Sequence, residues 1–111
     1  MSPQSDNTGI VYLDDAETVD DHVDGEGPLI VDFHADWCGP CVQMEPVLDA
    51  VASSTPARVL KVDVDRRQDI AVEFGVRGIP TFIVYDDGEP VQRLVGYQSE
   101  AALRDVIAEY A

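Results

Sequence analysis

The two cysteines of this 111-residue chain, Cys38 and Cys41, are separated by Gly39 and Pro40 and follow an apolar segment. A C-x-x-C spacing puts the two sulfur atoms about one helical turn apart, so a disulfide bond can form and break between them. If a helix begins at Pro40, Cys38 lies beside unpaired N–H groups and the positive end of the helix dipole. Both features favour the thiolate, which is the nucleophile in disulfide exchange. The spacing therefore predicts a redox-active dithiol.

Two other interpretations of the cysteine pair remain open. A structural disulfide that closes so short a loop would stabilise the fold by only on the order of 2 kcal/mol in the chain-entropy model. A metal or cluster site usually needs four ligands, and besides the cysteines the chain offers His22 and His34, with no second pair at ligand spacing. We favour redox chemistry, and keep a metal- or cluster-binding module as the alternative.

Acidic residues dominate the charge of the chain. It has 22 acidic residues against 7 basic ones, which gives a net charge of −15 and disfavours nucleic acid and anionic membranes as partners. Asp outnumbers Glu, and Lys61 is the only lysine. Self-repulsion at this charge destabilises a compact domain in dilute buffer, whereas about 1 M salt shortens the Debye length to about 3 Å. The composition therefore predicts a halophilic protein.

The length of the chain predicts one domain. We expect residues 1–8 to form a flexible polar segment and residues 9–111 to form the folded domain. No stretch approaches the roughly 18 apolar residues that a membrane span needs. Because residues 1–8 lack both positive charge and an apolar run, we expect no secretory signal, a cytoplasmic location and a dithiol that is mostly reduced.

The hydrophobic pattern predicts alternating strands and helices. Strands are expected at residues 9–13, 29–34, 58–64, 81–85 and 91–95. Helices are expected at residues 16–23, 40–53 and 68–74, with a last one after Ser99. This order is typical of an α/β fold with a largely parallel sheet and an antiparallel edge. The cysteines then lie at the C-terminal end of the second strand, where open α/β sheets place their sites.

Further residues stand in the order and spacing of a known family, from about residue 9 to the end of the chain. They are Asp32-Phe33, Trp37-Cys-Gly-Pro-Cys41, Pro46, Lys61-Val-Asp63, Gly78-Ile-Pro-Thr81 and Gly96. The chain resembles thioredoxins, and its acidity resembles those of salt-loving archaea. The resemblance implies the thioredoxin fold, in which four helices flank a central five-stranded mixed sheet. It also implies a monomeric protein-disulfide reductase that binds no cofactor, is recycled by a thioredoxin reductase and reduces oxidised client proteins.

The resemblance extends to the roles of the cysteines. Cys38 is expected to attack a client disulfide, and Cys41 is expected to resolve the mixed disulfide that results. The intervening Gly39 and Pro40 go with strongly reducing behaviour in the family. A disulfide oxidase or isomerase is the alternative within the same chemistry, and a docking subunit that uses the fold without its thiols is a third.

Asp32 interrupts an apolar strand that we expect to be covered on both faces, so burial should raise its pKa. It is either a carboxylate satisfied by hydrogen bonds or, as the resemblance implies, the proton acceptor for Cys41. Lys61 matches the family lysine that faces this carboxylate and modulates its charge. His34 departs from the family, lies two positions after Asp32 on the same strand face, and could either pack locally or tune the proton balance near neutral pH.

Four further residues are expected to bind the client. The resemblance implies a cis bond between Ile79 and Pro80, with the backbone of Ile79 pairing with an extended client segment. Gly96 marks a place where another backbone approaches closely, and it lines the docking groove in the family. Trp37 is expected to shield the dithiol and to supply apolar contact area.

Overall fold

Strands and helices alternate along the residues that the computed structural model describes, 9–25 and 27–110. The strands are β1 (Ile10–Tyr12), β2 (Leu29–His34), β3 (Arg58–Asp63), β4 (Thr81–Asp86) and β5 (Glu89–Val95). The α-helices are α1 (Gly39–Ser54), α2 (Gln68–Glu73) and α3 (Glu100–Tyr110). The segment 1–8, predicted to be flexible, lies outside the described residues.

The five strands form one mixed sheet, as predicted. Its order is β1-β3-β2-β4-β5, in which β3 pairs in parallel with both β1 and β2 while β4 pairs antiparallel with β2 and β5. All six residues of β2 are buried because the strand is central and covered on both faces. The sheet therefore holds the segment that precedes the cysteines rigidly in the middle of the molecule.

Each face of the sheet packs against its own apolar layer. Ile30 of β2 belongs to the layer that contains Met44 and Leu48 of α1 and Leu103 of α3. The opposite face, with Phe33, packs against α2 and the segment before β2. Because side chains alternate along a strand, Asp32 lies on the same face as Ile30, one position closer to the start of α1. The fold thus places Asp32 under the helix that carries Cys41.

The prediction of four flanking helices was wrong in one detail. The first predicted helix, residues 16–23, is a single 3-10 turn at Val19–His22, so the described residues contain three α-helices. Only Val19 of this turn is buried, and it packs on the same face of the sheet as α2. The turn therefore fills the position of the fourth helix without extending into an α-helix.

Candidate active site

The cysteine pair lies where β2 ends and α1 begins. Cys38 is the N-cap residue of α1, and Pro40 lies in the first turn, where its missing N–H leaves no hydrogen bond unmade. A disulfide bond joins Cys38 to Cys41, whose Cα atoms are 5.2 Å apart. The backbone N–H of Cys41 donates a hydrogen bond to Cys38 Sγ at 3.2 Å. The sulfur of Cys38 therefore receives a backbone donor at the positive end of a helix.

Both sulfur-bearing residues are covered in this oxidised form. Cys38 is 5% exposed and Cys41 is 3% exposed. Ala35 is the buried neighbour of the pair, and Val64 and Ile79 pack against it. An apolar surround of this kind excludes water from the disulfide.

The loop before β4 closes one side of the pair. The Ile79–Pro80 peptide bond is cis, as the family resemblance implied. The carbonyl oxygen of Ile79 lies 3.8 Å from Cys38 Sγ, and the carbonyl oxygen of Pro80 accepts a hydrogen bond from Gly96 N–H at 2.8 Å. Gly96 has φ +90°, and no atom of the described residues comes within 4 Å of the position of an added Cβ. The positive φ favours glycine at this position, and the backbone of Pro80 is the segment that approaches it.

Trp37 lies beside the disulfide with 71% of its surface exposed. Its indole N–H donates a hydrogen bond to Asp65 Oδ2 at 2.7 Å, which fixes the ring over the loop that follows β3. Asp65 was missed by the sequence analysis, because 28 residues separate it from Trp37 and no local pattern marks it. The exposed ring face is therefore held in place and available for contact.

Asp32 and Lys61 form a buried ion pair across β2 and β3. The sheet register pairs the two residues, the ammonium lies 3.5 Å from Asp32 Oδ2, and the exposed fractions of the side chains are 1% and 3%. Neither carboxylate oxygen has a hydrogen-bond partner among the described residues. Burial raises the pKa of Asp32 to about 6, Lys61 offsets part of that rise, and Glu45 adds to it. The carboxyl group can therefore take and release a proton near neutral pH.

Comparisons with known proteins agree with this geometry. The family model described as Thioredoxin matches residues 10–109. A thioredoxin of Mycobacterium tuberculosis is 41% identical over 101 residues, which cover 89% of this chain and 87% of that protein. The structure of a mutant thioredoxin from Halobacterium salinarum superposes with a TM-score of 0.84 at 42% identity, and the match covers 96% of this chain and 95% of that one. The chain belongs to the thioredoxin family.

A fused relative extends the comparison. A protein of Mycobacterium leprae described as a bifunctional thioredoxin reductase/thioredoxin is 42% identical over 100 residues, which cover 87% of this chain and 22% of the fusion. Membership of the family makes the chain a dithiol–disulfide oxidoreductase. Its redox group is the Cys38–Cys41 disulfide, as thioredoxins use no other cofactor.

Metal binding, the alternative left open above, finds no support in the part of the chain that the structure describes. Within residues 9–25 and 27–110, no three His, Cys, Asp or Glu side chains are grouped so that they could hold a metal ion. His22 is instead paired with Glu17 at 3.0 Å, on the turn before β2. In the same residues, no helix is long and apolar enough to cross a bilayer.

Proposed function

We propose that this thioredoxin reduces disulfides in cytoplasmic proteins, with Cys38 as the nucleophile and Cys41 as the resolving thiol. The observation that carries this assignment is the position of Cys38 Sγ at the start of α1, where it accepts the Cys41 N–H. A hydrogen bond and a helix dipole both stabilise the thiolate over the thiol, which lowers a thiol pKa. Cys41 lies inside α1, two residues after Gly39, and is 3% exposed.

The reaction has two steps in which one disulfide replaces another. The Cys38 thiolate attacks a client disulfide, forming a bond to one client sulfur and releasing the other as a thiolate. Asp32 then takes the proton of Cys41, whose thiolate attacks Cys38 Sγ and releases the second client thiolate. The client gains two electrons, the Cys38–Cys41 disulfide forms, and Lys61 modulates the charge of Asp32 during the proton transfer.

The client docks, in this proposal, on the rim around the disulfide. Trp37 supplies an exposed apolar ring, and the space above Gly96 is open. An extended client segment lies along the backbone of Ile79 and Pro80, close to Cys38 Sγ, in the manner of an added strand. Gly39 has no side chain, and no atom of the described residues comes within 4 Å of the position of an added Cβ there.

The proposed partners and setting follow from charge and from the relatives. Fusion to a reductase in the relative from Mycobacterium leprae supports a thioredoxin reductase as the electron donor. The net charge of −15, together with the similarity to a protein of Halobacterium salinarum, supports a salt-rich cytoplasm. We propose that the protein works there as a monomer.

Substitution of single cysteines tests the assignment of the two thiols. Cys41→Ser should accumulate a mixed disulfide with insulin, because the nucleophile is kept and the resolving thiol is lost. Cys38→Ser should form no such adduct and should show no dithiothreitol-driven insulin reduction. An adduct that forms on Cys41 in the Cys38→Ser protein, and not on Cys38 in the Cys41→Ser protein, would reverse the assignment.

The role of Asp32 is tested separately with Asp32→Asn. Turnover at about neutral pH should fall roughly 100-fold, the lower range for loss of a general base. Capture of a client by Cys38 should continue, since that step needs no proton from Cys41. Turnover equal to that of the unaltered protein would exclude Asp32 as the proton acceptor.

The salt requirement is tested by melting curves in KCl. Stability should rise from dilute buffer to about 1 M salt, because screening weakens repulsion among the acidic side chains. A melting temperature that does not change with KCl concentration would contradict the proposal that the acidic composition is an adaptation to salt.

A further inference from the structure

His34 and Asp32 are neighbours on one face of the sheet. They are two positions apart on β2, so their side chains leave the same face roughly 6.5 Å apart along the strand. The register pairs Asp32 with Lys61 and His34 with Asp63 on β3. These four residues therefore form a two-by-two patch, with Asp32 and Lys61 nearer the centre of the sheet and His34 and Asp63 at the ends of the strands.

A partly open cavity of 320 Å³ lies against the outer part of this patch. His34, Lys61 and Asp63 line it, whereas Asp32 does not. The cavity is large enough for several water molecules, each of which occupies about 30 Å³ in the liquid. Lys61 and His34 are therefore the neighbours of Asp32 in this patch through which a proton could move between its carboxyl group and the cavity.

Of these two neighbours, His34 is the one that can accept a proton. A lysine ammonium has three donors and no acceptor, whereas a neutral imidazole has one donor and one lone pair. His34 is 7% exposed, and its Nε2 is buried without a hydrogen-bond partner among the described residues. Burial and the Lys61 ammonium lower the pKa of His34 below its ordinary value of 6.5. The net effect favours the neutral ring over the imidazolium.

Charged groups from several elements face His34. Asp63 on β3, Asp36 in the turn after β2 and Glu45 on α1 all raise the pKa of His34, against the lowering by burial and Lys61. The cavity wall further includes Tyr12, Asp14, Asp15 and Arg66. An excess of carboxylates around a cavity raises the local concentration of protons and of small cations. The mouth of the cavity thus favours proton exchange with solvent.

We propose that His34 passes protons between the buried carboxyl group of Asp32 and solvent in this cavity. After resolution, the carboxylic acid of Asp32 gives its proton to the imidazole, and the imidazolium releases it to water. When the disulfide is reduced, the reverse transfer takes a proton from water through the imidazole and protonates Asp32 again. No electron moves in either transfer. His34 acts through Asp32 and is therefore a positioning residue, and the inference rests on the proposed role of Asp32 as proton acceptor for Cys41.

The test uses two substitutions of His34 and one matched control. His34→Phe keeps a buried ring that cannot accept a proton, and His34→Ala opens space beside the cavity. The control is His22→Ala, which removes the other histidine of the chain, on the turn before β2. Insulin turnover is measured from about pH 6 to about pH 9, with saturating dithiothreitol. The turnover rate of His34→Phe should be about tenfold below that of the unaltered protein at the alkaline end, and closer to it at the acidic end.

Added imidazole and pyrazole separate proton transfer from packing. The two rings have the same shape, and only imidazole is a base near neutral pH. Imidazole should restore turnover in His34→Ala with a saturable dependence on its concentration, while pyrazole should not, and His22→Ala should respond to neither. Equal rescue by both rings, or a pH profile of His34→Phe that coincides with that of the unaltered protein, would overturn the inference.

The outcome for Asp32→Asn distinguishes the two levels of the proposal. If Asp32→Asn is slow while both His34 variants show normal pH profiles, the role of Asp32 stands and that of His34 is rejected. If Asp32→Asn is as fast as the unaltered protein, both roles fail together. Circular dichroism and melting curves of each variant, taken in molar KCl, identify any loss of rate that comes from unfolding.

Discussion

Two ion pairs of this molecule differ in their surroundings more than in their chemistry. Arg66 and Asp15 meet at 2.8 Å on the surface, where 66% of each side chain is exposed. Lys61 and Asp32 are farther apart, at 3.5 Å, and almost completely buried. The shorter pair lowers the pKa of Asp15, as an arginine beside a carboxylate should. The longer pair leaves Asp32 with a raised pKa, because the effect of burial exceeds that of the ammonium.

The comparison teaches that burial, more than separation, determines whether a carboxylate can exchange a proton near neutral pH. An exposed carboxylate is held ionised by water and by its partner, so it stays charged throughout the physiological range. The buried one lies close to the balance between its two forms. Four substitutions test this distinction, from the largest expected effect to the smallest.

Lys61→Met should have the largest effect. It leaves the carboxyl group of Asp32 buried without the ammonium that pairs with it, which should lower the free energy of unfolding by about 4 kcal/mol at about pH 8. The measurement is urea unfolding, with Arg66→Met as the matched control at the exposed pair. The distinction between the pairs fails if both methionine variants lose the same stability.

Asp32→Asn should stabilise the protein above the pKa of Asp32. The folded state holds the Asp32 proton up to about pH 6, whereas an ordinary Asp loses it near 3.8. The stability that the protonated group contributes is thus fully present below about pH 4 and is lost as the pH rises through about 6. Asparagine mimics the protonated form, so the gain should reach on the order of 3 kcal/mol at about pH 8 and vanish near pH 4.

Urea unfolding at these two pH values measures the difference between Asp32→Asn and the unaltered protein. A gain that is the same at both pH values would show that it arises from packing instead of from proton binding. A loss of stability at the higher pH would mean that the ammonium, and not burial, dominates the ionisation of Asp32.

Tyr12→Leu should have a smaller effect on the buried pair. The Lys61 ammonium lies 5.7 Å from the centre of the Tyr12 ring, within range of a cation–π contact. Its loss should lower the free energy of unfolding by about 0.5–1 kcal/mol, as is typical for a partly exposed ring. Tyr12→Phe is the matched control, since it keeps the ring face; the contact is unimportant if the two variants unfold alike.

Asp15→Asn should have the smallest effect. The pair with Arg66 is exposed and screened by salt, so the melting temperature should fall slightly in dilute buffer and not at all in molar KCl. Melting curves at both salt concentrations measure this. If the melting temperature of Asp15→Asn fell equally at both salt concentrations, salt would not screen the exposed pair, and the distinction from the buried pair would fail.

Much of the fold could be predicted from the sequence, because its strands have unmistakable patterns. The apolar run of β2, interrupted by Asp32, and the apolar residues of β3 marked both strands to within one residue. The first helix was wrong for a local reason. Asp14 Oδ1 accepts the N–H of Ala16, and Asp21 Oδ2 accepts the N–H of Thr18, so Asp21 caps a turn that begins after Thr18 and residues 16–18 stay outside it.

The candidate site was predictable in its parts more than in its arrangement. The cysteine spacing indicated the disulfide, and an acidic residue inside an apolar strand indicated a raised pKa. The bond between Trp37 and Asp65 and the cavity beside His34 depend on loops that are distant in sequence. Periodicity describes single elements, and it carries no information on which loops meet at the end of a sheet.

The two outer strands of the sheet have a consequence for solubility in salt. Molar KCl screens the repulsion that keeps acidic proteins apart, so exposed strand edges become a hazard for aggregation. Here β1 has only three residues, and β5 carries Pro90 and Arg93, with a register shift where it meets β4. A short strand, a proline without a backbone N–H and an irregular register hinder the addition of a further strand by geometry. This protection does not depend on ionic strength, so it persists where charge repulsion no longer acts.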